Sequence, residues 1–182
     1  MNHLKGLRVY LSGNCENAEK AGADWRKDIT PKLKKLGLVI FDPVHSNVPL
    51  SFCNKQDEFE FVKKLRKDGD YVTLRKAMSQ VVAADLRMCD VADCIIVYLD
   101  SEKPTYGTID EIVTACNQKK PVYLVCKQGM KAMPLWLFGR VPLEYMCENL
   151  EQVLHKLDTI DKAKPEHLAG LIDKRWFFPN VL

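Results

Sequence analysis

The sequence predicts an α/β fold: a doubly wound, flavodoxin-like parallel sheet of five strands with helices on both faces. Three observations predict it. Short apolar runs rich in β-branched residues recur along the chain without polar alternation, as in strands covered on both faces. Amphipathic segments of helical period fall between these runs, which gives β-α-β alternation. Cap and turn residues separate the segments.

The strands are expected at Leu7–Leu11, Leu38–Phe41, Cys94–Leu99 and Val122–Cys126, with a weaker fifth near Leu143–Met146. Between the first two, Ala18–Leu36 places Ala21, Trp25, Ile29, Leu33 and Leu36 at spacings of three and four. Pro31 is expected to bend or split that helix, and Gly37 to end it. A stretch at about 43–80 is longer than one crossover needs and reads as a helical insertion. Two helices are expected there and beyond, about Asp57–Lys67 and Thr73–Met88, joined at Asp68-Gly69-Asp70. Thr108–Gln118 links strands three and four, and Asn149-Leu150-Glu151-Gln152 opens a capped helix to Leu157. Crossovers are expected to be right-handed, and the strand order to be the flavodoxin-like 2-1-3-4-5. The tail at about 165–182 holds Arg175-Trp176-Phe177-Phe178, too aromatic to hang in water, so it docks on its own domain or on a partner.

Composition bounds the function. The chain of 182 residues fits one domain, with 47% hydrophobic and 28% charged residues. A net charge of +3, with both signs interleaved, argues against a nucleic-acid polymer or a membrane as partner. The basic run Lys63–Lys67 follows acidic Asp57–Glu60 and reads as a solvated helix face. Val9–Leu11 is too short for a signal h-region or a membrane span. Seven scattered cysteines without C-x-x-C or zinc spacing suggest reduced thiols, a cytoplasmic setting and no metal. No G-x-G-x-x-G or Walker A sequence is present, so no dinucleotide or P-loop cofactor is expected.

In a sheet of this order, ligands bind beyond the carboxyl ends of strands one and three, where strand order reverses. Strand one runs into Ser12-Gly13-Asn14, and strand three ends in Asp100 before a loop to Gly107-Thr108-Ile109-Asp110-Glu111. Ser12-Gly13-Asn14 is either a strand-ending turn or a small polar cradle in which Gly13 lets a ligand near the backbone. Glu111, expected in the first helical turn, is either the partner of Thr108 in a capping box or a carboxylate aimed into the crevice. A glutamate so placed has the chemistry of a glycosidic nucleophile, attacking an anomeric carbon to form a covalent ester. Asp85 lies on the preceding helix, whose Val81, Val82 and Leu86 are expected in the core. It is either a surface partner of Arg87 or Lys76, or a functional carboxylate set against the helix dipole.

These residues resemble the nucleoside 2-deoxyribosyltransferase family and its nucleotide N-hydrolase relatives. The resemblance runs over about residues 8–125: Val-Tyr-Leu-Ser-Gly at 9–13, Asp85-Leu86 ahead of Cys89–Val97, Gly-Thr-x-x-Glu-Ile at 107–112, and Lys120-Pro121-Val122. It implies Glu111 as nucleophile, Tyr10 as the residue that orients it, and Asp85 as the carboxylate that assists the leaving base. It also implies Ser12 and Gly13 as part of the sugar or phosphate pocket, the same fold, and a homo-oligomer; Asn14, Asp100, Gly107 and Thr108, at the same crevice, are the further candidates for substrate binding. The chain departs from the family at Thr105 and Tyr106, where transferases tend to carry an acidic residue, and at Ile112–Ala115, where relatives show Ile-Gly-Tyr/Phe.

Three functions follow. A transferase passes 2-deoxyribose from one base to another, in nucleotide salvage. A hydrolase of nucleoside 5′-monophosphates gives water the acceptor's place. A non-catalytic module binds the nucleotide without turnover.

Overall fold

The computed structural model describes residues 2–15, 22–44 and 55–177. Five parallel strands form one sheet: β1 (Arg8–Gly13), β2 (Val39–Phe41), β3 (Cys94–Leu99), β4 (Val122–Cys126) and β5 (Met146–Cys147), in the order β2-β1-β3-β4-β5. This is the doubly wound flavodoxin-like arrangement, and β1 and β3 flank the reversal of strand order. β3 and β4 keep the expected limits, because continuous apolar runs define both ends. β1 reaches two residues beyond expectation, since Ser12 and Gly13 still pair with Val97 and Tyr98 of β3. β5 is displaced: Leu143–Tyr145 form a 3₁₀ turn after Pro142, which leaves Met146 and Cys147 to pair with β4.

The helices are α1 (Ala23–Lys35), α2 (Lys55–Asp68), α3 (Tyr71–Val91), α4 (Tyr106–Asn117), α5 (Leu135–Phe138), α6 (Leu150–Lys162) and α7 (Pro165–Leu171). α1 runs through Pro31 as one helix. Leu36 and Gly37 close it with bonds to the carbonyls of Leu33 and Lys34, Gly37 being left-handed. The expected helix start at 18–21, residues 45–54 of the insertion and the last residues, 178–182, lie outside the described residues. Gly69, at φ 76°, makes the turn between α2 and α3. Asp70 caps α3 by accepting from the Thr73 amide at 3.0 Å. Asn149 does the same for α6 with Gln152 at 2.9 Å.

α3 differs from expectation. Its 21 residues span about 31 Å, more than a six-residue strand beneath it can cover. Met88 and Cys89 are buried in this helix, while Val82 is exposed. The N-terminal turns pack on α2 rather than on the sheet, so their apolar residues remain half-covered. None of the described helices is long and apolar enough to cross a membrane.

The core lies on both sides of the sheet. Val9, Leu11, Ile95, Ile96, Leu124 and Ile112 are buried there, with Ile29 and Leu33 from α1. The described part of the tail docks on this core. Trp176 is 8% exposed, with its ring centroid 6.2 Å from that of Tyr123, whereas Phe177 is 65% exposed. Trp176→Ala is expected to cost about 3 kcal/mol by deleting a packed aromatic. Phe177→Ala should stay within about 0.5 kcal/mol. Urea unfolding of the two variants checks the contrast, and equal losses would contradict this docking.

Candidate active site

Side chains alternate along a strand, so Tyr10 and Ser12 leave β1 on the same face. α4 covers that face. Both hydroxyls meet the Glu111 carboxylate: Tyr10 Oη donates to Oε1 at 2.7 Å, and Ser12 Oγ donates to Oε2. Tyr10 and Ser12 are fully buried, and Glu111 is 8% exposed. A strand period of two thus matches the two oxygens of one carboxylate.

The helix carrying Glu111 starts earlier than expected. Thr105 precedes its first turn, and the Ile109 amide bonds the Thr105 carbonyl at 3.2 Å. Gly107 takes helical backbone, where the sequence suggests a loop. Glu111 therefore sits in the second turn, and Thr108 lies inside the helix, its hydroxyl 2.6 Å from that of Thr105. The capping-box reading of Thr108 and Glu111 falls with this register. Gly107 lies four residues before Glu111, on the same helical face. Helical side chains lean towards the N-terminus, so Glu111 leans over Gly107. A Cβ at Gly107 would meet nothing within 4 Å, so this turn of α4 has open space around it.

Burial pushes the Glu111 carboxyl up from an ordinary 4.5 to about 7. The Ser12 and Tyr10 hydroxyls oppose that rise, the Asp85 charge adds to it and the Arg26 charge opposes it. Asp85, half-buried on α3, is thus felt at the carboxylate. Tyr10 is itself held protonated, by burial first and then by the charges of Glu111 and Asp85. Cys89 packs beneath, with its Sγ 3.7 Å from the Glu111 carbonyl.

Gly13, Asn14 and Asp100 have structural uses. A Cβ on Gly13 would lie 2.7 Å from the Tyr98 carbonyl and 3.1 Å from the Trp25 ring, so the glycine admits the β1–β3 contact. The Asn14 side chain accepts from the Asp100 amide at 2.9 Å and donates to the Asp100 and Lys103 carbonyls at 3.3 Å. It staples the β3–α4 loop to the end of β1. Burial raises the Asp100 carboxyl, but bonds from Gln128 at 2.5 Å and Lys127 at 3.1 Å outweigh this and hold it below the usual range. Asn14 and Asp100 also line a cleft of about 290 Å³ at the ends of β1 and β3, with Trp25, Tyr98, Lys103 and Lys127. The Trp25 and Tyr98 rings stand 5.4 Å apart there.

A larger cavity, about 540 Å³, lies away from the switch point, between α6, α7 and the sheet edge. Among the described residues, no three His, Cys, Asp or Glu side chains converge as a metal site.

Arg26 and Cys15 escaped the sequence reading. Arg26 is fully buried under the β1 turn and touches Cys15 at 3.6 Å. Its signal was its spacing: Arg26, Ile29 and Leu33 form the buried stripe of α1.

The fold and site define a class: doubly wound α/β domains with a buried, hydrogen-bonded carboxylate beside the β1–β3 switch point. Within it, the chain belongs to the nucleoside 2-deoxyribosyltransferase family, whose sequence model matches residues 9–157. Among solved structures, a 2-deoxyribosyltransferase from Bacillus psychrosaccharolyticus shares the fold. Its TM-score is 0.55 over 88% of this chain and 95% of that chain, at 15% identity. No curated protein matches the chain.

The raised Glu111 pKa has a stability consequence. Between about 4.5 and 7 the folded state binds the proton that the unfolded state has released, so stability falls as pH rises through that window. Glu111→Gln is therefore expected to stabilise the protein at pH 8, by about 3 kcal/mol. The gain should shrink to nothing towards pH 4.5. Denaturant titrations of both proteins at several pH values check the sign, and a destabilised variant at pH 8 would contradict the burial argument.

Proposed function

We propose that this chain is an N-glycosyltransferase that moves a 2-deoxyribosyl group between nucleobases through Glu111. The observation that carries the reading is the Glu111 carboxylate held through both oxygens by Tyr10 and Ser12. Each oxygen accepts one bond and keeps a further lone pair, so the group is oriented without being consumed. Membership of the nucleoside 2-deoxyribosyltransferase family supplies the substrate class.

In this reading, a Glu111 oxygen attacks the anomeric carbon from the face opposite the base. The C–O bond forms as the C–N bond breaks, and the bonding pair leaves on the base nitrogen. Asp85 delivers a proton to the departing base. The acceptor base then attacks the same carbon, the ester bond returns its pair to Glu111, and Asp85 recovers the acceptor's proton. Two displacements retain the configuration. Tyr10 and Ser12 keep the carboxylate in one rotamer. The substrate reaches Glu111 at the carboxyl ends of β1 and β3, with no cofactor.

Glu111→Ala should fold and exchange no base, while wild type moves deoxyribose from a donor nucleoside to an added free base. A deoxyribosyl adduct on Glu111, read by intact mass spectrometry with a slow substrate, supports the ester. Exchange retained by a folded Glu111→Ala rejects it. Nucleoside 5′-monophosphates split to free base and sugar phosphate, without exchange, would assign the hydrolase instead. Binding without turnover would assign the non-catalytic module. Asp85→Ala should lower kcat by about 100-fold, the loss of one positioned proton donor.

Only ionised Glu111 attacks, so the acid limb of kcat/KM should rise with pH towards about 7, and the proton that Asp85 must carry to the base sets the fall beyond it. A profile flat from pH 5 to 8 contradicts this assignment.

We also propose a homo-oligomer. Leu135 and Trp136 on α5 are 87% and 78% exposed, an apolar pair that subunit contacts favour. A strict monomer in light scattering at micromolar concentration contradicts it.

A further inference from the structure

β2 stops at Phe41, opposite Tyr10, while β1 continues to Gly13 beside β3. From Leu11 onward, the β2-side edge of β1 has no strand partner among the described residues. Buried backbone carbonyls need a donor. Arg26 supplies it from α1: Nε donates to the Leu11 carbonyl at 3.2 Å, and Nη2 donates to the Gly13 carbonyl at 3.1 Å. Nη1 donates to the Gly22 carbonyl at 3.0 Å, which ties the start of α1 to the same point. Asp42, just past β2, lies 3.6 Å from Nε and balances the buried charge. The Trp25 ring packs 4.7 Å from the guanidinium carbon. At Gly22, φ is 69°, and a Cβ there would meet the Asn14 carbonyl at 2.5 Å and Arg26 Nη1 at 3.0 Å. The guanidinium thus takes the place of the missing strand.

The two carbonyls it holds flank Ser12. We infer that Arg26 is a positioning residue for the proposed reaction: by clamping the Leu11 and Gly13 carbonyls, it fixes the residue between them, and with it the hydroxyl that orients Glu111. This rests on the reading of Glu111 as nucleophile. An arginine suits the task because its planar fork reaches several acceptors at fixed angles, whereas a lysine ammonium is a point charge.

The carboxylate is faced from every side by groups that bear on its ionisation. β1 and the turn after it bring Tyr10, Ser12 and Cys15. α3 brings Asp85 and Cys89. α1 brings Arg26. Burial and Asp85 raise the Glu111 pKa, and Ser12, Tyr10 and Arg26 lower it.

The test is a double-mutant cycle on Glu111 titration, followed by carboxyl ¹³C NMR in wild type, Ser12→Ala, Arg26→Lys and the double variant. Lysine keeps the charge and loses the fork. Ser12→Ala and Arg26→Lys should each raise the titration by about half a pKa unit or more, because each loses the Ser12 bond. The double variant should raise it no further. Each single variant should also lower kcat by about tenfold with little change in KM, again without adding. An Arg26→Lys protein that titrates like wild type overturns the inference, as do shifts that add. If lysine does not fold at this position, Arg26→Gln is measured with and without Ser12: its shift in the Ser12→Ala background is the lost charge alone, the clamp requires a larger shift when Ser12 is present, and equal shifts overturn it. Wild type that exchanges no base would overturn the reading of the reaction, while the titration cycle, which needs no turnover, still decides the clamp.

Discussion

Everything at this site turns on keeping a carboxylate charged where water scarcely reaches. Glu111 sits under α4 against the central strand, and burial alone would hold its proton on well above neutrality. Two hydroxyls and a buried guanidinium pull in the other direction, and the balance falls near 7. That balance depends on β1 being straight and fixed as far as Gly13. It therefore depends on the pairing with β3, on Arg26 along the open edge, and on Asn14 stapling the next loop. A carboxylate of this kind is costly to the fold as an anion. Under the proposed reaction, an ester on Glu111 would be neutral and free of that desolvation penalty, so the same burial that strains the anion would favour it.

Much of the scaffold was legible because it is written in local patterns. Cys94–Leu99 and Val122–Cys126 are continuous apolar runs, and a run of that kind has visible ends. Gly69 marked the α2–α3 turn for the same reason: a left-handed residue between two helical periods. The strand order matched the flavodoxin-like expectation, although crossover handedness alone does not fix an order. The helix start at Tyr106 was misread because glycine suggests a loop, yet Gly107 has room on every side and adopts helical backbone readily. Val82 was misread because amphipathicity reports that a face is covered, not whether the cover is a sheet or a neighbouring helix. Leu143 was placed in a strand on apolar character alone, although Pro142 favours the turn that forms.

The site was legible in its parts and not in its assembly. Tyr10, Ser12, Asp85 and Glu111 were singled out, but Ser12 was assigned to substrate, whereas its hydroxyl meets the Glu111 carboxylate. That bond joins residues 99 apart, and no local spacing encodes it. Arg26 was hidden differently. A cation inside an apolar stripe is usually discounted as a residue whose head escapes to solvent. Here the stripe was true for all three positions, and the cation was buried because strand-end carbonyls required it. A charge at a core position next to a chain end rich in small residues is the signal that was available.

Two periodicities meet at Glu111, and their meeting explains why so little sequence specifies the site. The strand repeats every second residue, so Tyr10 and Ser12 face α4 while Leu11 and Gly13 turn towards α1. The helix repeats every third to fourth residue, so Gly107 and Thr108 stand one turn before Glu111 on its side. The strand contributes donors on one face and a floor for Trp25 on the other. The helix contributes the carboxylate and, one turn before it, the open surface at Gly107. Moving β1 by one residue would exchange these faces, directing Leu11 and Gly13 at the carboxylate and both hydroxyls at α1. The clamp on the Leu11 and Gly13 carbonyls resists that slip where β2 no longer can. The chemistry of the site is thus tied to strand register, and the last three residues of the strand are held by β3 on one edge and by Arg26 on the other.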